Sequence, residues 1–136
     1  MARIYEAVIL NNGGRNGEVY SVDKSFFYRV VSPTSHVKEA TNPEELFAAS
    51  YSACFNGALE LVLSKRGLMN KSIVTAKVSL NENEKENYSI SVVLEILIEG
   101  LSEELAMELI TEADLVCPYS KAIEGNVDKE IKLVNK

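Results

Sequence analysis

The sequence predicts a single α+β domain with elements in the order β-β-β-α-β-β-α-β. Three observations lead there. Strand-like and helix-like hydrophobic patterns come in blocks and not as alternating βαβ units. One helix, opening at Asn42, carries a full set of start and stop signals. The 136 residues leave room for one modest core.

Ile4, Glu6, Val8 and Leu10, set against Arg3, Tyr5, Ala7 and Ile9, suit a strand that is apolar on most of both faces. Asn11-Asn12-Gly13-Gly14-Arg15-Asn16-Gly17 comes next as a turn, since Gly and Asn supply positive φ. Residues from about Glu18 to Val31 read as two strands with Val22-Asp23-Lys24 as the bend. Residues 32–41 form a polar connection with Pro33 and the single histidine, His36.

The helix comes next. Asn42 suits the N-cap, Pro43 the first helical position, and Glu45 completes a capping box. Glu44 and Glu45 sit where the positive end of the helix dipole favours carboxylates. The helix should run to about Arg66 and stop at Gly67. Between Leu46 and Leu63 it is interrupted only by Ser50, Ser52, Asn56 and Glu60, so it is expected to be buried on more than one side. A chain of this size covers such a helix most simply with a second copy, which predicts a homodimer.

Val74, Ala76, Val78 and Leu80 alternate with Thr75, Lys77 and Ser79 as a half-buried strand. A seven-residue polar loop, Asn81 to Asn87, leads to its hairpin partner, Tyr88 to Ile98, where Tyr88, Ile90, Val92, Leu94, Ile96 and Ile98 share one face. A second helix starts after Ser102 with two carboxylates in its first turn. On it Ala106, Ile110, Ala113 and Cys117 make an inward stripe, which Pro118 ends. Gly125 and Asn126 turn the chain into a last strand through about Val134.

Composition excludes several classes of function. With 46% apolar and 25% charged residues the chain reads as an ordinary globular protein. A net charge of -6 and basic residues spread singly argue against nucleic acid and against an anionic membrane surface. No apolar region opens the sequence, and no uncharged apolar stretch approaches the roughly 20 residues that span a bilayer. The expected location is the cytoplasm. Two cysteines do not make a secreted disulfide framework, and one histidine with two distant cysteines makes no metal site.

Cys54 and Cys117 carry the strongest chemical signal, although buried cysteines are usually inert packing. Each lies on an inward face of its helix, so the two could meet. Taken alone, Arg15 is a solvated turn residue, Glu44 a helix-start carboxylate and His36 an exposed loop residue.

Together these residues carry a resemblance. Thr41-Asn42-Pro43-Glu44-Glu45-Leu46-Phe47, continuing through Tyr51-Ser52-Ala53-Cys54-Phe55-Asn56-Gly57-Ala58-Leu59, closely resembles the first cysteine motif of the organic hydroperoxide resistance proteins, within the wider osmotically inducible protein C (OsmC) family. Val116-Cys117-Pro118-Tyr119-Ser120-Lys121-Ala122 and Glu124-Gly125-Asn126-Val127-Asp128 resemble the second. Gly13-Gly14-Arg15-Asn16-Gly17 is similar to the family's arginine turn. The similarity runs nearly end to end. One departure is Ser32 to Ala40, where members of the family often have a glycine-rich stretch.

The resemblance implies an OsmC-like fold, with antiparallel sheets in two layers around long central helices of an intertwined homodimer. It implies a thiol peroxidase for alkyl or lipid hydroperoxides, with Cys54 as attacking thiolate and Cys117 as resolving thiol. Arg15 would activate the thiolate and Glu44 would hold the guanidinium. Phe47, Tyr51 and Phe55 would form an apolar wall for the substrate. No bound cofactor is implied; the reductant would be an external dithiol, dihydrolipoamide on a lipoylated protein. Two alternatives stay open: a peroxidase of the wider family that prefers hydrogen peroxide, and a redox sensor without turnover. The sensor is disfavoured by the lack of a DNA-binding helix or basic face. Glu44 and Cys54 are ten residues apart on one helix, roughly 15 Å along its axis and about 80° apart around it. If the arginine–glutamate–cysteine network holds, something must shorten this distance. A two-fold axis that assembles it across a dimer interface is expected, with a sharp kink in the helix as the competing explanation, although no proline lies inside it.

Overall fold

A computed structural model of the chain describes residues 1–35 and 37–134, so the reading of His36 lies outside the described residues. The elements are β1 (Leu10–Asn12), β2 (Gly17–Tyr20), β3 (Phe27–Val30), β4 (Ala40–Thr41), α1 (Pro43–Lys65), β5 (Ser72–Glu84), β6 (Asn87–Ile98), α2 (Glu103–Val116), α3 (Pro118–Ile123) and β7 (Asp128–Leu133). They form two compact units, Met1–Leu46 and Phe47 onward, and α1 runs from one into the other. The class is α+β, with two sheets and helices, as the pattern predicts.

The first unit holds the sheet β1-β2-β3-β4. β1, β2 and β3 are antiparallel neighbours, and β4 adds parallel to β3. The turn from β1 to β2 is tight enough to demand glycine. A Cβ on Gly17 would fall 1.8 Å from the Asn12 carbonyl oxygen, and Gly13 has φ +83°. The Asn11 side chain closes the loop, accepting from the Gly14 amide at 3.0 Å and donating to the Gly14 and Glu18 carbonyls, each at 3.1 Å.

Two expectations change here. The strand expected from Arg3 to Leu10 is not formed: Met1 to Ile9 carry no regular secondary structure, and only Leu10–Asn12 pairs. Ile4 is 98% exposed and Tyr5 79%. Alternation marks a segment that fits a sheet, but a strand exists only where a neighbour completes its ladder. β4 was not anticipated, because two residues carry no readable period.

In the second unit β5 and β6 form a long antiparallel hairpin from Ser72↔Ile98 to Glu84↔Asn87. The seven-residue loop expected between them shrinks to Lys85-Glu86, with Glu86 at φ +63° and a register shift between Glu82 and Glu84. Asn81 and Asn83 are in the strand, donating across it to the Ser91 and Ser89 hydroxyls at 3.1 and 2.9 Å. Their polarity marks exposure, not a loop. β7 returns parallel to β6 after the crossover through α2 and α3, so each sheet is mainly antiparallel with one parallel strand at its edge.

Helix α1 shows why its ends were readable. The Glu45 amide donates to Asn42 Oδ1 at 2.8 Å, the N-cap bond, while the Glu45 carboxylate accepts from the Thr41 hydroxyl at 2.8 Å. Past its end Gly67 turns at φ +69°. By length and composition α1 could cross a bilayer, yet Tyr51, Phe55, Ala58, Leu59, Val62 and Leu63 belong to the core. That core joins them to Val92, Leu94, Ile96 and Ile98 of β6 and to Ala106, Leu109, Ile110 and Ala113 of α2. On the other side of α1, Ala49, Ala53, Gly57 and Leu61 are exposed in the single chain.

Candidate active site

Arg15 stands at the tip of the glycine turn. Its guanidinium donates to both carboxylate oxygens of Glu44, Nη1 to Oε1 and Nη2 to Oε2, each at 2.8 Å. Two parallel charge-assisted bonds fix the plane of the guanidinium as well as its position. The Arg15 side chain is 53% exposed and that of Glu44 15%. Arg15 holds the Glu44 carboxyl below the usual carboxylate range, mainly through these hydrogen bonds. Glu44 is held in turn by the first turn of α1, next to the Asn42 cap.

The cysteines meet in the second unit. Cys117 Sγ lies 3.4 Å from Cys54 Sγ, although 63 residues separate them. Cys54 is half-buried and Cys117 wholly buried. Three features bring Cys117 to this spot. The stripe Ala106, Ile110, Ala113 directs this side of α2 into the core. Pro118 ends α2 at Val116, leaving Cys117 as a joint with ψ 119°. Its amide still donates to the Ala113 carbonyl at 2.8 Å.

Sequence reasoning missed the helix on the far side of this joint. Proline stops one helix but also opens the next, and Pro118 is the first residue of α3. This short helix sets the Tyr119 backbone amide against Cys54, where it donates to the sulfur. It also brings Ser120 to Tyr51, hydroxyl to hydroxyl at 2.6 Å, both buried. Tyr119 and Ser120 stand in the second cysteine motif, so their positions were readable; their roles were not.

Burial pushes the Cys54 thiol above its ordinary value, the Tyr119 amide pulls it back, and the adjacent Cys117 adds to the rise. None of the groups that shift Cys54 within its unit is a cation.

Of the three aromatics expected to form a substrate wall, two are closed to solvent. Tyr51 and Phe55 are fully buried and expose no surface to a ligand. The accessible aromatics are Phe47, half-buried, and Tyr119, 38% exposed, whose ring centroids are 6.3 Å apart. Tyr51 stands behind both, 6.2 Å from Phe47 and 6.0 Å from Tyr119.

A turn arginine clamped by a helix-start glutamate, and a cysteine pair formed by a helix and the joint between two others in an α+β fold, define a class that comparison makes explicit. Residues 36–132 match the model of the OsmC-like protein family. The chain is 38% identical to the organic hydroperoxide resistance protein OhrA of Bacillus subtilis, with 96% of each chain covered. The crystal structure of OhrB from the same organism superposes with a TM-score of 0.90 at 38% identity, covering 97% of this chain and 100% of that one. An organic hydroperoxide resistance protein from Elizabethkingia anophelis does so with a TM-score of 0.90 at 36% identity, with both chains fully covered. The chain belongs to the OsmC-like family, among its organic hydroperoxide resistance proteins.

Proposed function

We propose that the protein is a thiol-dependent peroxidase that reduces organic hydroperoxides to alcohols. The observation that carries this reading is the close cysteine pair, 3.4 Å between sulfurs, half-open on the Cys54 side and closed on the Cys117 side. The exposed partner suits the attacking role and the buried one the resolving role. In the first step the Cys54 thiolate attacks one peroxide oxygen, the O–O bond breaks, and the alkoxide leaves as alcohol after taking up a proton. Cys54 is left as a sulfenic acid. Cys117 then displaces water to give the disulfide, and an external dithiol reduces it with two electrons and two protons.

Arg15 is proposed to stabilise the thiolate and Glu44 to orient Arg15. Burial acts against ionisation of Cys54, and a cation must offset it for the thiol to react near neutrality. Phe47 and Tyr119 favour an alkyl or lipid peroxide, because a small polar oxidant gains nothing from an apolar wall. The reductant is proposed to be a lipoyl dithiol and the location the cytoplasm, whose thiol pool keeps such pairs reduced.

The working unit is proposed to be a homodimer. Two features of the single chain support it: the exposed apolar residues Ile4, Tyr5, Val8 and Ile9, and the uncovered Ala49, Ala53, Gly57 and Leu61 of α1. The deciding experiment tracks peroxide consumption with dihydrolipoamide as reductant, comparing cumene hydroperoxide with hydrogen peroxide. Turnover should occur with both and be much faster with cumene hydroperoxide. Preference for hydrogen peroxide would shift the reading to the alternative peroxidase, and oxidation without turnover to a sensor.

A further inference from the structure

Beside the two cysteines stands α3, a helix of only six residues. The residues at its start do two jobs: Cys117 supplies the second sulfur, and Tyr119 supplies the amide that donates to the first. A segment this short does not hold its own geometry, because a helix under about a dozen residues is marginal without tertiary contacts. Upstream it is joined to α2 through the non-helical joint at Cys117. Among the described residues two polar ties cross from it to α1: the Tyr119 amide on the Cys54 sulfur, and the Tyr51–Ser120 hydroxyl pair at 2.6 Å. Both side chains are almost wholly shut off from solvent, at 0% and 1% exposure. Tyr51 lies one turn before Cys54 on α1, and Ser120 lies three residues after Cys117. The tie therefore joins the two peptide segments that carry the two sulfurs.

We propose that the Tyr51–Ser120 hydrogen bond is a latch that holds Cys117 in attacking range of Cys54, so that Ser120 is a positioning residue for disulfide closure. The inference rests on the peroxidase reading and adds to it a control on the fate of the sulfenic acid. Two reactions compete there. In closure, the Cys117 sulfur bonds to the Cys54 sulfur, the S–O bond breaks, and water leaves with the thiol proton. In over-oxidation, a second hydroperoxide transfers its oxygen to the sulfenic sulfur, giving a sulfinic acid and a second alcohol. The first rate depends on alignment and the second on peroxide concentration, so the latch sets the peroxide level at which the enzyme inactivates. Burial keeps Tyr51 protonated, its hydroxyl pushed up to about 12, so the tie persists across the working range of pH.

The test uses full-length Ser120→Ala and, as the conservative rescue, Ser120→Thr. Consumption of the first equivalent of cumene hydroperoxide should slow far less than closure, since Cys54 itself is carried by α1. In Ser120→Ala, disulfide closure should slow on the order of tenfold, since small losses of alignment cost such factors. Sulfinic acid, read by intact mass, should then appear at correspondingly lower peroxide. Ser120→Thr should restore both. Diamide closes the same disulfide without peroxide and should show the same slowing. That arm separates the two ideas: a wild type that consumes no hydroperoxide sinks the peroxidase reading, while diamide closure still judges the latch. Closure in Ser120→Ala as fast as wild type, with unchanged sulfinic acid formation, overturns the proposal, even if the variant melts at a lower temperature.

Discussion

The arginine–glutamate pair and the cysteine pair are built in opposite ways. Arg15 and Glu44 sit on surfaces of their unit, one on a turn and one at a helix start, and two charge-assisted hydrogen bonds join them. Cys54 and Cys117 are joined by no strong bond; packing places them, since Tyr51, Phe55, Leu109, Ala113 and Cys117 are all at 0% exposure. A polar clamp can open with little disturbance to the fold, whereas a packed pair moves only when helices move. The difference suits their proposed tasks. An activating cation must let a substrate in, while a resolving thiol must wait at a fixed distance.

The largest effect should come from the packed pair. Cys54→Ser is expected to abolish peroxide reduction while circular dichroism and thermal unfolding stay close to wild type, because serine is nearly isosteric but a far weaker nucleophile. Turnover near the wild-type level would remove Cys54 from the mechanism. Cys117→Ser should consume about one equivalent of hydroperoxide per subunit and then stall as a sulfenic acid that dimedone traps. Loss of even that single turnover would exchange the roles of the two thiols.

The clamp should have smaller effects, read mainly through pH. Arg15→Ala should leave Cys54 with its burial-raised pKa, so that alkylation sets in at higher pH and peroxide reduction slows. Ultraviolet titration of the thiolate with no difference between the two proteins would return Arg15 to a solvated turn residue. Mixing Cys54→Ser with Glu44→Ala subunits under exchange conditions would sharpen the comparison further. Recovered activity is expected if one copy lends its clamp to the other's cysteines, and a measured mass of one chain at micromolar concentration would refute sharing.

The smallest effect concerns stability. Glu44 has a folded-state pKa below its ordinary 4.5, so its contribution is present above that value and is lost as pH falls through the depressed one. The unfolding free energy should therefore show no Glu44 contribution to its slope near neutrality. Glu44→Gln should cost roughly 0.2–1 kcal/mol there, since its partner is half exposed. A step near pH 7 in urea-unfolding midpoints that Glu44→Gln removes would contradict this.

Much of the fold was legible because its signals are local. The Asn42-Pro43 start and Gly67 stop of α1, the Ser102 cap accepting from Leu105 at 3.2 Å, and the inward face of β6 from Val92 to Ile98 appear where their residues place them, while Tyr88 of that face is exposed. What failed depended on neighbours distant in sequence. Ile4 to Ile9 has the alternation of a strand yet no ladder, and the polar run Asn81–Asn87 looks like a loop although a bulge carries most of it into the hairpin. Pro118 ends one helix and also begins the next.

The sequence by itself determined the chemistry on offer: two thiols, an arginine on a turn that only glycine can make, and a carboxylate at a helix start. Backbone rules over a few residues decide such features, and they travel with the local sequence. Only the tertiary structure decided who meets whom. That Cys54 faces Cys117 and the Tyr119 amide, and that Tyr51 is bonded to Ser120 and not lining a pocket, comes from packing α1, α2 and α3 on one sheet. Contacts across 63 to 69 residues are set by how side chains fill a shared core, and no window of sequence contains that core.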